Sequence, residues 1–395
     1  MMMARVLPLV LLLSVVVAPS AAGQTTTTPQ TVGEIIDFLV TNRAVQTGDF
    51  ERDRAAAEAA RDAITRALLV NLTSVPLASS SSGFLYRLNS QLGTMERKTQ
   101  SFGSFFVERA LTAGAGTASF GVSAFTSGFD QLGGLQLRDG SMITVANQFR
   151  DESTPFDTEA LTLQIRSSTL TVVGSVGITD RIEVGAALPL IHLSLDGQRL
   201  NVYRGEPFLQ ASGEASAGGI GDVAVRAKVT LVQSDSSAFA AAAEVRLPTG
   251  DEDNLLGAGA TAFRVLGVGS YESGRVTLHA NGGMIFGGVS DEINVAGAAA
   301  FAVHPRVTLS GEVLVRRLND LHELQLLSEP NPTIAGVDTV RLVPGTSATT
   351  LANAVAGIKW NISGTVVLGG HVAFPLVRHG LTAPITPTVA LEYSF

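Results

Sequence analysis

The residues best suited to catalysis are a histidine and its neighbours in the C-terminal half of the chain. His322 follows Asp320 and precedes Glu323, and Ser328 lies in the same predicted loop. A hydrolase needs a nucleophile within hydrogen-bonding reach of a base that a third group orients. Loops of this composition are usually only solvated, and the chain has no phosphate loop, paired-histidine zinc helix or nucleophile elbow. We therefore predict that the protein is not an enzyme, with a hydrolase centred on His322 as the weakest alternative.

Metal and cofactor chemistry has little support in the sequence. The chain has no cysteine, which excludes thiol nucleophiles, cysteine-ligated zinc and iron–sulfur clusters. The run Asp251-Glu252-Asp253-Asn254 offers oxygen ligands that suit calcium, and it could hold lipopolysaccharide through bridging cations. It lacks the spacing of a calcium-binding loop. We interpret it as a solvated loop tip and predict no metal site and no cofactor.

The composition restricts the class of protein. Charged residues make up 16% of the chain and hydrophobic residues 45%, a balance that argues against disorder. The net charge of −8 argues against nucleic-acid binding. Beyond the N-terminus, no stretch is long and apolar enough for a transmembrane helix. Such a chain must form either a large soluble core or a β-barrel whose outer surface faces lipid.

From about Leu161 to the end, strand-length segments alternate between apolar and polar residues. In one such segment, Val225 and Val229 share one face, whereas Arg226 and Lys228 share the other. In a membrane barrel the polar face of each strand lines the lumen. The candidate lumen-lining residues are Glu183, Asp222, Arg226, Lys228, Glu244, Arg246, His279, Asn281, Glu312, Arg316, Lys359, His371 and Glu392.

The charges on this face have mixed signs. A ring of one sign would have indicated ion selectivity, whereas acidic and basic residues together predict cross-strand ion pairs that fill a narrow interior. Two interpretations stay open for these residues: a salt-bridged structural lumen and a selectivity site.

A soluble sandwich shows the same alternation, but three features favour a barrel. The segments have about ten residues or more, against about five or six in an ordinary strand. The chain ends in an alternating strand with Tyr393 and Phe395, which resembles the assembly signal of bacterial outer-membrane barrels. Tight turns also alternate with long loops. The turns lie at Thr179-Asp180, Ser234–Ser237, Glu272–Gly274, His304-Pro305 and Ile362–Gly364, and the loops at Asp196–Gly219, Pro248–Gly259, Asn319–Ala348 and Val377–Pro384.

We therefore predict an all-β protein, a transmembrane antiparallel β-barrel. Both ends of a closed barrel lie on one rim, so the number of strands is even; counting back from the C-terminus gives about 12, with Ser127–Asp157 as an outer loop. Adding Gln136–Val145 and Phe102–Glu108 would give about 14 strands. The strands are placed near residues 115–126, 160–178, 181–195, 220–232, 238–248, 260–270, 275–286, 293–303, 306–317, 349–361, 364–376 and 385–395.

The N-terminal part does not follow the barrel pattern. Its first residues combine a basic start, an apolar run and small residues, which predicts a cleaved signal peptide. A short helical segment follows, because Thr31 and Glu34 have the spacing of a capping box and Asp49 is placed to cap a second helix. This segment could plug the lumen or lie in the periplasm. The predicted regions are the signal peptide at residues 1–23, the helical segment at 24–82 and the barrel at 83–395.

Three segments resemble a known family. Gly177–Gly185, running into Leu188-Pro189, is similar to the tight-turn hairpin of the outer-membrane channels named for the meta-pathway of phenol degradation. Gly219–Val223 and Leu247–Asp251 resemble that family's next two recurring segments. The likeness covers roughly residues 160–395. The resemblance implies an outer-membrane β-barrel that passes small, often hydrophobic molecules.

The sequence thus predicts a channel in a bacterial outer membrane for passive movement of small hydrophobic or amphiphilic solutes. The expected partners are outer-membrane lipid and lipopolysaccharide, the barrel-assembly machinery and a small-molecule solute, and no nucleic acid. The alternative is a closed structural or adhesive barrel that acts through the loops Asp196–Gly219 and Asn319–Ala348.

Overall fold

The computed structural model describes residues 30–41, 45–73, 86–89, 94–97 and 99–394. The predicted signal peptide and the terminal Phe395 lie outside the described residues. From Thr31 onward the chain forms one compact unit, which contains two α-helices followed by β-strands.

Twelve strands of the described chain, β1 to β12, form a closed antiparallel barrel. Each strand pairs with its neighbours in sequence, and β12 closes the ring by pairing with β1. This confirms the predicted all-β barrel and the approximate position of each strand. The strands are β1 (Ala118–Phe129), β2 (Asp157–Gly177), β3 (Ile182–Tyr203), β4 (Val223–Gln233), β5 (Ser237–Leu247), β6 (Ala262–Ser273), β7 (Val276–Gly287), β8 (Glu292–His304), β9 (Val307–Pro330), β10 (Val337–Asn361), β11 (Val366–Pro375) and β12 (Thr386–Ser394).

Strand β4 shows how the sequence produces this wall. Val225, Val229 and Leu231 point outward and are 48%, 36% and 47% exposed, whereas Arg226 and Lys228 point inward and are buried. The other barrel strands also turn exposed apolar side chains outward, so a broad apolar surface surrounds the barrel. Exposure of an apolar surface of this size to water is unfavourable. A closed barrel leaves no unpaired strand edge, so its outer surface is suited to contact with lipid hydrocarbon.

The connections define two rims. The turns β2–β3, β4–β5, β6–β7, β8–β9 and β10–β11 are tight and lie on one end, here called the short-turn rim, together with the start of β1 and the end of β12. The other end, here called the long-loop rim, carries the remaining connections. This agrees with the arrangement expected from the sequence.

Two predicted long loops are mostly strand, and those predictions are wrong. The chain at Asp196–Gly219 continues β3 to Tyr203 and returns as a strand, Glu206–Ile220, that pairs with β3. The chain at Asn319–Ala348 extends the hairpin of β9 and β10 well beyond the membrane wall. In these extensions exposed apolar residues occur as adjacent pairs, Phe208-Leu209 and Leu326-Leu327, so the alternation that identifies a membrane strand disappears.

The 14-strand alternative is also wrong, since the ring closes with twelve strands. Phe102–Glu108 forms no strand; it lies inside the barrel. Gln136–Val145 adds no strand to the ring. Instead, a strand at Met142–Phe149 pairs with β2 and β10 at the long-loop rim, so the predicted outer loop Ser127–Asp157 is partly ordered into sheet.

Five short strands complete the described sheet structure. A separate hairpin pairs Tyr86–Asn89 with Thr94–Arg97. A small sheet at the long-loop rim pairs Leu381–Thr382 with Gln131–Leu132, which in turn pairs with Leu135–Gln136.

Helices α1 (Val32–Thr41) and α2 (Phe50–Thr73) begin at the predicted caps. Thr31 and Glu34 exchange the two hydrogen bonds of a capping box, at 3.0 and 3.1 Å, and Asp49 accepts a hydrogen bond from the Arg52 N–H at 3.2 Å. Helix α1 packs on β3 and the strand paired with it, and α2 packs on β9 and β10. Among the described residues, no helix combines the length and apolar character needed to span a bilayer.

The main hydrophobic core lies between these helices and the wall at the long-loop half. The inner face of β3 is polar at Glu183, near the short-turn rim, but apolar at Ile191, Leu193 and Leu195. These three side chains belong to the same buried cluster as the apolar faces of both helices, including Leu39. Burial of these apolar side chains holds the helices against the wall.

Candidate functional site: the barrel interior

The residues Thr99–Ala113, here called the luminal segment, precede β1 and cross the short-turn half of the barrel interior. They contain no helix or strand, and Phe102, Phe105 and Val107 are buried. A buried segment outside regular structure must find hydrogen-bond partners for its backbone elsewhere. Side chains of the wall strands supply them.

Glu312 of β9 is the main anchor of the luminal segment. Its carboxylate accepts hydrogen bonds from the backbone N–H groups of Phe105, of Phe106 at 2.9 Å and of Val107 at 3.0 Å. Consecutive N–H groups around one anion form a strong, charge-assisted arrangement. Loss of this carboxylate would leave these buried donors without their acceptor.

Other wall strands bind the rest of the luminal segment. Lys359 of β10 donates a hydrogen bond to the Ser104 carbonyl at 2.9 Å and also pairs with Glu392 at 3.2 Å. Further backbone contacts join Thr308 to the Phe102 N–H (3.0 Å), Ser270 to the Ala110 N–H (2.9 Å), Thr230 to the Ala110 carbonyl (2.7 Å) and Glu183 to the Ala113 N–H (2.9 Å). Strands β3, β4, β6, β9 and β10 therefore hold the segment from several sides.

Glu108 brings a carboxylate of the luminal segment into a cluster of wall charges. It pairs with Arg226 and lies 3.5 Å from the Nζ of Lys228. Across the β4–β5 pair, Arg226 meets Glu244 at 2.8 Å, and across the β3–β4 pair, Lys228 meets Glu183 at 3.6 Å. All five side chains are buried, so each charge depends on its partners. The mixed signs noted in the sequence correspond to ion pairs between strands.

The remaining polar candidates also lie on the inner surface and contact neighbouring groups. The contacts join Asp222 to the N–H groups of Gly250 (3.1 Å) and Ala258 (2.8 Å), Arg246 to Glu244 (2.9 Å), Arg316 to Glu292 (2.6 Å), His279 Nδ1 to Ser270 Oγ (2.8 Å), and Asn281 to the Glu108 backbone (2.6 and 3.2 Å). Tyr393, one of the two predicted assembly-signal residues, faces outward. A direct role of the inner residues in solute contact stays a prediction.

A cavity of about 140 Å³ lies between the luminal segment, α2 and the inner faces of the wall. Its lining includes Phe106, Phe125, His371 and Thr388. A smaller cavity of about 50 Å³ shares these four residues. The ring of His371 therefore lies where the two spaces meet.

The residues considered for hydrolysis around His322 do not form a catalytic site. His322 Nδ1 donates to the Ser347 carbonyl at 3.1 Å, and Ser328 lies roughly 20 Å further along β9. Asp320 and Glu323 accept hydrogen bonds from backbone N–H groups of neighbouring loops instead. Nucleophile, base and orienting carboxylate do not meet.

The acidic loop tip, Asp251–Asn254, is hydrogen-bonded to the start of α1. The Asp253 carbonyl accepts a hydrogen bond from the Gly33 N–H at 3.0 Å, and Asn254 Oδ1 accepts one from the Val32 N–H at 3.3 Å, both at the start of α1. Hydrogen bonds from Asn254 lower the pKa of Asp251. Within the described part of the chain, no three acidic or histidine side chains cluster closely enough to hold a metal ion.

Sequence reasoning missed the luminal segment, which it treated as a possible strand. A signal was present. Phe102, Phe105 and Phe106 are spaced three and four residues apart rather than two, which contradicts strand alternation. Gly103 also breaks the run, and the structure places it at a positive φ of 71°.

Comparison with known proteins supports the family resemblance. A model of the family described as "Putative MetA-pathway of phenol degradation" matches residues 146–320. The resemblance predicted from the turn motifs is thereby confirmed, although the match starts slightly earlier than expected and ends before β10. No curated protein matches the chain.

Several solved structures share the barrel architecture at low identity. An outer-membrane channel from Pseudomonas putida F1 is 12% identical, with a TM-score of 0.45, over 71% of this chain and 96% of that chain. The translocator domain of the autotransporter NalP from Neisseria meningitidis is 11% identical, with a TM-score of 0.36, over 71% and 89%. The outer-membrane protease OmpT from Escherichia coli is 8% identical, with a TM-score of 0.29, over 72% and 98%. Likeness at this level carries no functional information.

Proposed function

We propose that this barrel, which resembles the phenol-degradation family, is an outer-membrane channel for small hydrophobic or amphiphilic solutes. The observation that carries the proposal is the filling of the lumen. Side chains alone can fill a barrel of about eight strands, whereas a wider barrel has room for more. Here twelve strands enclose a further piece of backbone, the luminal segment, which runs on into β1 and is otherwise held in place by non-covalent contacts, mainly with wall side chains.

A displaceable closure of this kind suits a channel. The luminal segment occupies the short-turn half, and the two helices pack on the wall at the long-loop half, so the structure corresponds to the closed form. Short turns face the periplasm and long loops face outward in outer-membrane barrels. We assign the luminal segment to the periplasmic side and the helices to the outer side, where they act as a plug. Passage requires the luminal segment to shift.

The solute class follows from the interior and from the family description. The cavities inside the closed form are small, and their linings combine aromatic, hydroxyl and amide groups with charged side chains such as Arg316 and Glu392, each of which pairs with a neighbouring charge. The matching family is described in terms of phenol degradation, and phenol is a small amphiphile of this kind. We therefore propose small neutral amphiphiles as the solutes.

Liposome swelling tests the proposal. The purified full chain, checked by heat-modifiable migration in detergent gels, is reconstituted into liposomes and exposed to small neutral solutes and to matched larger sugars. We expect swelling with the small solutes above protein-free liposomes. Correctly folded protein that admits none of them would defeat the proposal.

A second candidate is a closed structural or adhesive barrel. The dense hydrogen bonding of the luminal segment and the packed helices favour it. Removal of residues 31–73 separates the candidates in part: permeation that appears only after removal identifies the helices as a plug, and no permeation by either form supports the structural barrel.

A further inference from the structure

We propose that the cavity beside His371 is a binding site for one neutral, single-ring molecule with a hydrogen-bonding group, and that His371 recognises this group. The inference rests on the proposed function and deepens it, because it names the kind of solute that the closed interior holds. Size, lining and an unsatisfied imidazole support it.

The volume fits one six-membered ring. The larger cavity measures about 140 Å³. An engineered protein cavity of about 150 Å³ with an apolar lining is known to bind benzene. The adjoining space of about 50 Å³ leaves room for a substituent but not for a second ring.

The lining combines aromatic faces with polar groups, and slightly more than half of its residues are apolar. Phe106 comes from the luminal segment, and Phe125 and Phe129 come from β1. Ser127 and Thr388 add hydroxyl groups from the wall. Mainly apolar walls with a few convergent polar groups are typical of small-molecule sites.

His371 supplies the polar group that most needs a partner. Its side chain is 7% exposed, and neither Nδ1 nor Nε2 has a hydrogen-bond partner among the described residues. A buried polar group without a partner is unfavourable unless a ligand or water fills the role. A neutral imidazole offers one donor and one acceptor, which suits a hydroxyl, amine or carbonyl on a ring.

Aromatic contacts fix the imidazole. The ring centroid of His371 lies 4.3 Å from that of Phe105 and 5.0 Å from that of Phe106. Phe105 can approach the wall because Gly357 and Gly369 lie beneath it; an added Cβ would come within 2.5 and 2.9 Å of its ring. The luminal segment therefore positions both the aromatic face and the polar group of the site.

The nearby cations favour a neutral ligand. Arg316, which lines the cavity, pairs with Glu292 at 2.6 Å, and Lys359 pairs with Glu392. An anionic ring would have to break these buried ion pairs to gain a counterion. A neutral ring leaves them intact.

Equilibrium dialysis of the full chain in detergent tests the site. The probes are phenol, benzene and benzoate. We expect saturable binding of phenol, weaker binding of benzene and no competition by benzoate. The variant His371→Phe keeps an aromatic ring of similar size, so we expect phenol affinity to fall at least tenfold while benzene affinity changes little. The exposed His192→Phe is the matched control and should bind as wild type does.

A second variant distinguishes the loss of the hydrogen-bonding group from the loss of cavity volume. Ala373→Leu fills the larger cavity and should abolish binding of both phenol and benzene in a barrel that still shows heat-modifiable migration. Equal phenol binding by wild type and His371→Phe, or the absence of saturable binding to the folded wild type, would overturn the inference. Binding without liposome permeation would sustain the site and defeat the channel; permeation without binding would do the reverse.

Discussion

The two halves of the barrel interior hold their contents by different physical means. At the short-turn half, charged and hydroxyl side chains such as Glu312 and Lys359 bind the backbone of the luminal segment. At the long-loop half, Ile191, Leu193 and Leu195 pack against two helices. Hydrogen bonds are directional and fix one position of a segment, whereas apolar contact depends on area and tolerates small shifts. The polar half is thus suited to a closure with two defined states, and the apolar half to a stable cover.

The largest effect should come from a charge placed in the apolar half. Leu193→Asp puts a carboxylate without a partner into the core, and we expect a loss of unfolding free energy of about 4 kcal/mol or release of the helices from the wall. Urea unfolding in detergent and limited proteolysis of the helices would measure this. Gln198→Asp, on the exposed face of the same strand, is the control; a similar loss in both variants would contradict the assignment of the inner face.

Removal of the anchor in the polar half should act mainly on closure. Glu312→Ala removes the acceptor of three backbone N–H groups, and we expect a loss of about 3 kcal/mol together with higher single-channel conductance. Glu312→Gln keeps one acceptor oxygen and should fall between wild type and alanine. The exposed Glu206→Gln controls for the loss of one negative charge. Unchanged conductance in folded Glu312→Ala would count against the luminal segment as the closure.

A double-mutant cycle tests the ion pairs of the polar half. Arg226→Ala and Glu244→Ala each leave a buried charge with fewer partners, so we expect the double variant to be more stable than the sum of the single losses implies, by about 2 kcal/mol. Urea midpoints of the four proteins give the coupling. Strict additivity would show that the two side chains do not interact.

The smallest effect should come from a substitution of the glycine that lies beneath the Phe105 ring. Gly357→Ala places a Cβ about 2.5 Å from the Phe105 ring, and we expect a loss of about 1 kcal/mol, because the ring must move. At Gly311 an added Cβ meets no atom within 4 Å, so Gly311→Ala should change the unfolding free energy little. Equal effects at the two glycines would argue against close contact between the luminal segment and the wall.

The barrel could be predicted from the sequence because its signal is local. Along each strand, apolar residues such as Val225 face lipid and polar residues such as Arg226 face the lumen, so the two types alternate with a period of two. The same rule fails beyond the membrane, where water meets the extended hairpin of β3, and on the inner face at Leu193, where an apolar side chain meets a helix instead of water. In both places the surroundings of the strand, water in one and a helix in the other, cannot be inferred from the strand's own residues.

The candidate site could be predicted only in part. The alternation of apolar and polar residues along each strand predicted that His371 and Glu312 lie on the inner face. Their partners could not be inferred, because Phe106 and Glu312 are separated by 206 positions in the chain and the luminal segment has no regular pattern. Irregular backbone takes its conformation from the groups around it.

A reversible cross-link tests most directly whether the luminal segment closes the barrel. The Oγ atoms of Ser101 and Thr277 lie 2.7 Å apart, and the chain has no native cysteine, so the double variant Ser101→Cys, Thr277→Cys offers a single disulfide. We expect the disulfide to form in the folded barrel, conductance to be blocked while it is oxidised, and conductance to return on reduction. Failure of the disulfide to form in the folded protein, or equal conductance in both states, would contradict the closure.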